Sequence, residues 1–186
     1  MSTNVKSLEI ISSALVVLIG AAGAGKSTFA REHFRPTEVL SSDFFRGMVC
    51  DDEGDQEATA DAFDLLHLAV GKRLARGKLC VVDATNVRVD FRTKLLEHAR
   101  RFGRVAVAIV FDTPERIAIE RAGSRPERSV SPDIVRKQMK DLAVESQDLL
   151  GEGFEKVFRL TPRDQVDILR LNSTEPKASI KRQSGW

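Results

Sequence analysis

Residues 20–27 read Gly20-Ala21-Ala22-Gly23-Ala24-Gly25-Lys26-Ser27 in a chain of 186 residues, and this stretch decides the fold. It has the spacing G-x-x-x-x-G-K-[ST], in which glycines let successive backbone N–H groups converge on one anion. The apolar run Ala14–Ile19 precedes it, and residues 27–34, whose composition suits a helix, follow it. Because the positive end of that helix would face the same anion, the sequence predicts a phosphate-binding loop of the Walker A type.

The side chains of this loop indicate which phosphate compound it binds. Lys26 is long enough to reach the β and γ phosphates of a nucleoside triphosphate, and the Ser27 hydroxyl is a hard oxygen ligand suited to Mg²⁺. We therefore expect ATP and Mg²⁺ to bind here. The residues expected to contact ATP are Gly20, Gly23, Ala24, Gly25, Lys26, Ser27 and Thr28.

Short apolar runs alternate with longer segments of helical spacing along the rest of the chain. This alternation predicts an α/β fold, with a central parallel sheet of about five strands and helices on both faces. The apolar runs are Ala14–Ile19, Glu38–Leu40, Leu79–Val82, Val105–Phe111 and Phe154–Leu160.

Two helical segments have recognisable faces or ends. Ser131 as N-cap with Pro132 at the first helical position predicts the start of a helix over residues 133–150, and Thr113–Pro114 is a similar start signal. Within residues 57–76, a three- or four-residue spacing predicts one buried face. Its members are Phe63, Leu66, Val70 and Leu74.

Length and composition favour one domain over residues 1–170, followed by a polar, basic and poorly ordered tail over residues 171–186. The chain has no apolar run near the ~20 residues that span a bilayer and no signal-peptide pattern at its start, which favours a cytoplasmic location. Two cysteines and three histidines show no metal-ligand spacing, so zinc chemistry is not expected. A net charge of +2 excludes a uniformly basic protein but leaves room for a local basic groove.

A second polar group follows the second predicted strand. Asp43 lies at the carboxyl end of that strand, on the side of the sheet where the phosphate loop lies. A carboxylate there can accept the proton of an attacking hydroxyl, and Arg46, three residues on, would share its helix face. The alternative is that Asp43 is only the N-cap of a helix beginning at Phe44.

Two further elements suit the handling of a triphosphate. Asp83 ends an apolar strand, as in a Walker B element that holds Mg²⁺. Arg121 and Arg125 lie four residues apart, beside a bend marked by Gly123, which is typical of a mobile arginine-bearing lid. A solvated charged turn is the alternative for this lid segment.

These residues together resemble the 5′-OH polynucleotide kinase module of bacterial polynucleotide kinase-phosphatases, which are enzymes of RNA repair. The resemblance extends in order from about Leu15 to Leu160 and implies a P-loop kinase fold. It depends on the phosphate loop and on the segments Ser41-Ser42-Asp43-Phe44 with Arg46, Asp51-Asp52-Glu53, Val81-Val82-Asp83-Ala84-Thr85-Asn86-Val87, and Glu120-Arg121 to Arg125.

The resemblance implies transfer of the ATP γ-phosphate to a 5′-OH end of RNA or DNA. By analogy with the family, Asp43 takes the proton of the 5′-OH, Arg46 contacts the phosphate of the terminal nucleotide, and Arg121 and Arg125 clamp the ATP phosphates from the lid. In the repair enzymes, phosphatase and ligase-like modules follow the kinase. For this protein, we expect the phosphatase and ligase-like modules to belong to another chain or to sequence outside these 186 residues.

Two alternatives remain on sequence grounds: a P-loop kinase of a small metabolite, and an ATP-driven switch without an acceptor. Basic residues at predicted strand ends permit contact with a nucleic-acid strand, but no run of aromatic residues indicates a stacking platform. These basic residues are Arg46, Arg88, Arg92 and Lys94.

Overall fold

The computed structural model describes residues 5–124 and 129–172. The strands in these ranges are β1 (Val5–Ile11), β2 (Leu15–Ile19), β3 (Val39–Ser41), β4 (Cys80–Asp83), β5 (Ala106–Phe111), β6 (Lys156–Leu160) and β7 (Gln165–Leu171). The helices are α1 (Lys26–His33), α2 (Ser42–Cys50), α3 (Thr59–Ala75), α4 (Val89–Arg101), α5 (Glu115–Gly123), α6 (Pro132–Glu145) and α7 (Leu149–Glu152), with a 3-10 turn at Pro36–Glu38.

Five strands form the central sheet in the order β3-β4-β2-β5-β6, and every pairing is parallel. The predicted α/β fold with a five-stranded parallel sheet is therefore confirmed. In a parallel sheet all carboxyl ends lie at one edge, and this edge is where α/β proteins bind ligands. The phosphate loop follows β2, Asp43 follows β3, and Asp83 ends β4, so the topology brings these segments to one edge.

The central strand β2 is buried on both faces of the sheet. Alternate residues of a strand point to opposite faces, and Leu15, Val17 and Ile19 belong to the core cluster that contains the buried residues of α3. Val16 and Leu18 belong to a second cluster together with residues of α1. Helices therefore cover both faces, as predicted from the nearly continuous apolar run of β2.

A separate two-stranded parallel sheet, β1 paired with β7, was not predicted from the sequence. Leu8 and Ile10 of β1 are fully buried in the same core cluster as Val16. The alternation of apolar Leu8 and Ile10 with polar Glu9 is the signal that could have indicated this strand. β7 extends to Leu171, one residue into the predicted tail, and residues 173–186 lie outside the described part of the chain.

The predicted helix faces and ends are confirmed in part. Leu66, Val70 and Leu74 of α3 are fully buried, whereas Phe63 is only half-buried. Ser131 is the N-cap of α6 and accepts a hydrogen bond from the Ile134 amide.

Two helix boundaries differ from those predicted. The single helix over residues 133–150 is wrong, because α6 ends at Glu145 and the Asp148 side chain begins a new helix by accepting from the Gly151 amide at 2.8 Å. Pro114 is the N-cap of α5 instead of its first residue. In the described residues, no helix is both long enough and apolar enough to cross a membrane.

Candidate functional site

The phosphate loop has a backbone that requires glycine at two positions. Gly23 and Gly25 have φ angles of +77° and +100°, a region that residues with a side chain rarely adopt. A Cβ at Gly23 would lie 2.0 Å from the carbonyl oxygen of Ala118 in α5. Gly25 is the N-cap of α1, so the loop leads directly into the positive end of that helix.

The loop is tied to three surrounding elements by hydrogen bonds. The Gly20 amide donates to the Thr85 carbonyl at 2.9 Å, and Thr113 Oγ1 donates to the Ala24 carbonyl at 2.9 Å. The Ala22 amide donates to Gln138 Oε1 of α6 at 2.8 Å. α6 therefore contacts the loop directly, a role for Gln138 that the sequence did not indicate.

Lys26 lies across its own loop. Its side chain is buried, and Nζ donates to the carbonyl oxygens of Gly20 and Ala21, each at 2.8 Å. A charged ammonium group in a buried position must be satisfied by acceptors. The loop carbonyls supply these acceptors, and they keep the ammonium close to the loop amides.

A cleft of about 590 Å³ opens beside the loop at the carboxyl edge of the sheet. It brings together predicted site residues from three separate segments of the sequence, namely Lys26, Ser27, Asp43, Arg46 and Asp83. Gly23 and Gly25 also line it. Residues that end or follow three different strands, β2, β3 and β4, thus meet around one space large enough for a bound molecule.

A second cavity, of about 820 Å³, lies along the other side of the phosphate loop. Ala24 and Thr28, two of the predicted ATP contacts, line this cavity, as do Gly23, Gly25 and Arg121. Gly20 is buried at the end of β2 and lines neither of these two cavities.

Asp43 lies in the first turn of α2. The N-cap of this helix is Ser41, which accepts a hydrogen bond from the Phe44 amide, so the alternative that Asp43 is the N-cap is wrong. Asp43 Oδ1 forms an ion pair with Arg46 Nη2, and Arg46 Nε donates to the Glu53 carbonyl at 2.8 Å. The guanidinium is nearly buried and orients the carboxylate at the edge of the cleft.

Asp83 is buried at the end of β4, in register with Leu18 of β2 and Ser41 of β3. The turn that follows it is fastened to the sheet, because Asn86 Nδ2 donates to the Leu18 carbonyl at 2.8 Å. Asn86 has a φ of 48°, and its Oδ1 is buried with no hydrogen-bond partner among the described residues. The turn therefore holds Asp83 and Thr85 at the wall of the cleft.

Of the two predicted lid arginines, Arg121 lies on α5 above the loop. Its Nη1 atom is 3.8 Å from the position that a Cβ of Gly25 would occupy. Arg125 lies outside the described residues. One guanidinium of the predicted lid is thus adjacent to the phosphate loop.

Arg92 is not available to bind a nucleic-acid strand, contrary to the prediction. Its side chain is fully buried and makes a bidentate ion pair with Glu152, at 2.6 and 2.8 Å. The helical pattern of α4 places Arg92 beside Leu95 and Leu96 on the inner face. Arg88 and Lys94 are exposed.

The structure also adds cleft residues that sequence reasoning did not identify. Phe63 of α3 and Phe91 of α4 line the cleft with their rings stacked, and Thr59 lines it one turn before Phe63. The sequence spacing predicts Phe63 to be a core residue, because it shares the three- or four-residue repeat of the buried face of α3. That repeat does not distinguish a cleft position from a core position.

The AAA domain family designated AAA_33 matches residues 15–149. A comparison with curated proteins finds no match. Three solved structures are similar. The first, of a candidate kinase from Chloroflexus aurantiacus, is 17% identical with a TM-score of 0.59, and the match covers 81% of this chain and 88% of that one.

The second similar structure is a chain of the Pnkp1/Rnl/Hen1 RNA repair complex, 22% identical with a TM-score of 0.63. The match covers 73% of this chain but only 46% of that one. The third comes from the PezAT toxin-antitoxin system of Streptococcus pneumoniae, 18% identical with a TM-score of 0.56, covering 81% and 69%. At these identities the likeness establishes a shared P-loop kinase fold.

Proposed function

The chain belongs to the AAA_33 family of AAA domains, and on this premise we propose that it is a polynucleotide 5′-hydroxyl kinase. It transfers the γ-phosphate of ATP to the 5′-OH end of RNA or DNA. The observation that carries the proposal is the position of Asp43, a carboxylate that lines the same cleft as Lys26 and Ser27 of the phosphate loop. A proton acceptor across from a phosphate-binding loop is the arrangement that phosphoryl transfer to an alcohol requires.

The chain offers suitable residues for Mg²⁺ and for the triphosphate. Ser27 and Asp83 supply a hydroxyl and a carboxylate oxygen at one cleft, the donor types that Mg²⁺ prefers. When bound, the ion neutralises charge on the phosphate oxygens. Lys26 would exchange its two loop carbonyls for phosphate oxygens, and Arg121 would approach from α5.

In the reaction, Asp43 accepts the proton of the acceptor hydroxyl while the hydroxyl oxygen forms a bond to the γ-phosphorus. The bond from that phosphorus to the β–γ bridging oxygen breaks, and ADP leaves. Arg46 holds the Asp43 carboxylate in position and can also contact the phosphate of the terminal nucleotide. Positioning and electrostatics provide most of the rate, because little covalent chemistry falls to the protein.

The likeness to a chain of an RNA repair complex supports a role for this kinase in nucleic-acid repair. In that role, removal of 3′-phosphates and ligation belong to other modules. We infer that phosphatase and ligase activities act on the same nucleic-acid ends. These activities would be supplied by partner chains or by protein sequence outside these 186 residues.

The deciding experiment incubates the protein with γ-labelled ATP, Mg²⁺ and a 5′-OH oligonucleotide. The same oligonucleotide with a 5′-phosphate serves as a blank, and a panel of sugars and sugar acids runs in parallel. We expect label only on the 5′-OH oligonucleotide. Label confined to a metabolite would replace the proposal with a metabolite kinase, and ATP hydrolysis without any labelled acceptor would favour a switch.

The Asp43→Asn variant tests the assigned proton acceptor in the same assay. The amide keeps the size of the carboxylate but cannot take a proton from the acceptor hydroxyl. We expect transfer to fall by a factor of about 100 or more, with ATP affinity nearly unchanged. Transfer at the wild-type rate would remove Asp43 from the mechanism.

A further inference from the structure

Two phenylalanines from different helices form a stacked pair at the wall of the cleft. Phe63 of α3 and Phe91 of α4 have ring centroids 5.5 Å apart and an interplanar angle of 22°. Both rings line the cleft that contains Asp43, Arg46 and the phosphate loop. The mechanism of phosphoryl transfer uses neither ring.

The pair differs from the aromatic residues of the core. Phe29, Phe34 and Phe111 are each 5–7% exposed and pack together edge to face beneath the sheet. Phe63 and Phe91 are instead half-buried, and they are the only aromatic side chains among the described residues that line the cleft. Ile134 of α6, which is 51% exposed, adds further apolar surface to the same cleft.

A polar group lies next to this apolar surface. Thr59, four residues before Phe63 on α3, lines the cleft, and its Oγ1 atom is buried with no hydrogen-bond partner among the described residues. The guanidinium of Arg88 lies 5.7 Å from the Phe91 ring centroid and forms an ion pair with Asp90.

We propose that the Phe63–Phe91 pair binds a flat unsaturated ring of the acceptor, the nucleobase attached to the hydroxyl-bearing sugar. This inference rests on the proposed function and defines the substrate class of the same site. The hydroxyl reaches Asp43, and the ring packs on the two phenylalanines. A polyol without a ring would leave the aromatic wall unused.

The first test compares two oligonucleotides that differ only in the first residue. One has a 5′-terminal nucleoside and the other a 5′-terminal abasic sugar, both with a free 5′-OH. Because stacking a base on an aromatic side chain changes affinity by about tenfold or more, we expect KM for the abasic end to be about tenfold higher, with kcat little changed.

Phe91→Leu is the decisive variant, because leucine keeps the site apolar but removes the ring. We expect the difference in KM between the two ends to shrink to about twofold, through a higher KM for the base-bearing end. Phe44→Leu is the matched control: Phe44 is 55% exposed on α2 and is not among the described residues that line the cleft. Phe63→Leu replaces Phe91→Leu if the latter does not fold.

A second test measures ring binding without any phosphoryl transfer. A 5′-OH trinucleotide with 2-aminopurine as its first base is titrated with protein, and its fluorescence reports stacking. We expect saturable binding that weakens about tenfold or more in Phe91→Leu but not in Phe44→Leu.

The outcomes separate this inference from the proposed function. Equal KM values for both ends in the wild type, or equal trinucleotide binding by wild type and Phe91→Leu, would overturn the ring site even if the protein is a kinase of 5′-OH ends. Ring-dependent binding of the trinucleotide without phosphorylation of any oligonucleotide would support the ring site and refute the proposed function.

Discussion

At the scale of single residues, the site depends most on positions where no other side chain fits. Gly23 combines a φ of +77° with the close approach of the Ala118 carbonyl of α5. Gly103 has a similar φ of +58° but nothing within 4 Å of where a Cβ would lie. Comparing alanine substitutions at these two glycines therefore distinguishes the free-energy cost of backbone strain from that of steric overlap.

Gly23→Ala is expected to distort the phosphate loop, because the new Cβ would force the loop away from α5. We expect ATP affinity to fall by more than about tenfold, which corresponds to about 1.4 kcal/mol. Gly103→Ala should lower the free energy of unfolding by about 1–2 kcal/mol through strain alone, with ATP affinity unchanged. Isothermal titration with ATP measures the affinity of both variants and urea denaturation measures their stability. Normal ATP affinity in Gly23→Ala would contradict this account.

At the scale of elements, one buried arginine connects the cleft turn to two helices. Nη1 of Arg92 donates to the carbonyls of Asn86 and Val87, at 2.9 and 2.7 Å. Its Nη2 donates to the Glu145 carbonyl at 2.5 Å and to the Glu152 carboxylate. α4 thereby holds the turn after β4, the end of α6 and the short helix α7 in fixed relation.

Arg92→Ala should be strongly destabilising, because it leaves the Glu152 carboxylate and three backbone carbonyls without their donor. We expect the free energy of unfolding to fall by about 3–5 kcal/mol, measured by urea denaturation. Arg88→Ala, at the start of the same helix, is the control. Arg88 is exposed and pairs only with Asp90 and the Phe91 ring in the described structure, so little change is expected. A similar decrease in the free energy of unfolding in both variants would mean that the Arg92 hydrogen bonds stabilise the fold no more than the exposed Arg88 ion pair does.

At the scale of the whole molecule, we expect the contact between α3 and α4 to make the free energy of unfolding depend on pH. His67 and His98 stack with ring centroids 5.5 Å apart. Burial, followed by the nearby His98 and Lys94, lowers the pKa of His67, although Asp64 and Glu97 oppose this. Burial and then Arg101 lower the pKa of His98 against the opposing effect of Glu97.

Stability should decrease as the pH falls below about 6.5. In that range the two histidines bind protons more readily in the unfolded chain than in the folded chain, because their pKa values are lowered by folding. The free energy of unfolding therefore declines until the pH is below the lowered pKa values. Urea denaturation between pH 7.5 and 5.5 measures the decline, which cannot exceed about 1.4 kcal/mol per pH unit for each group. The variant with both His67→Leu and His98→Leu should show a flatter profile. An unchanged slope would assign the pH dependence to other groups.

Local sequence was sufficient for the centre of the fold. β2, the phosphate loop and α1 follow one another directly, so their order, their glycines and their buried face are determined within residues 14–33. The placement of Asp43 and Asp83 at the same edge also followed from the sequence, since parallel strands share their carboxyl ends.

Tertiary structure alone decided the features that depend on distant partners. The pairing of β1 with β7 joins the two ends of the described chain, the Phe63–Phe91 pair joins two helices, and the burial of Arg92 depends on Glu152. A phenylalanine on a core spacing and an arginine on a helix look alike in the sequence whether they face a cleft, the core or the solvent. Their environments are determined by which elements pack against them, and that packing minimises free energy over the whole chain.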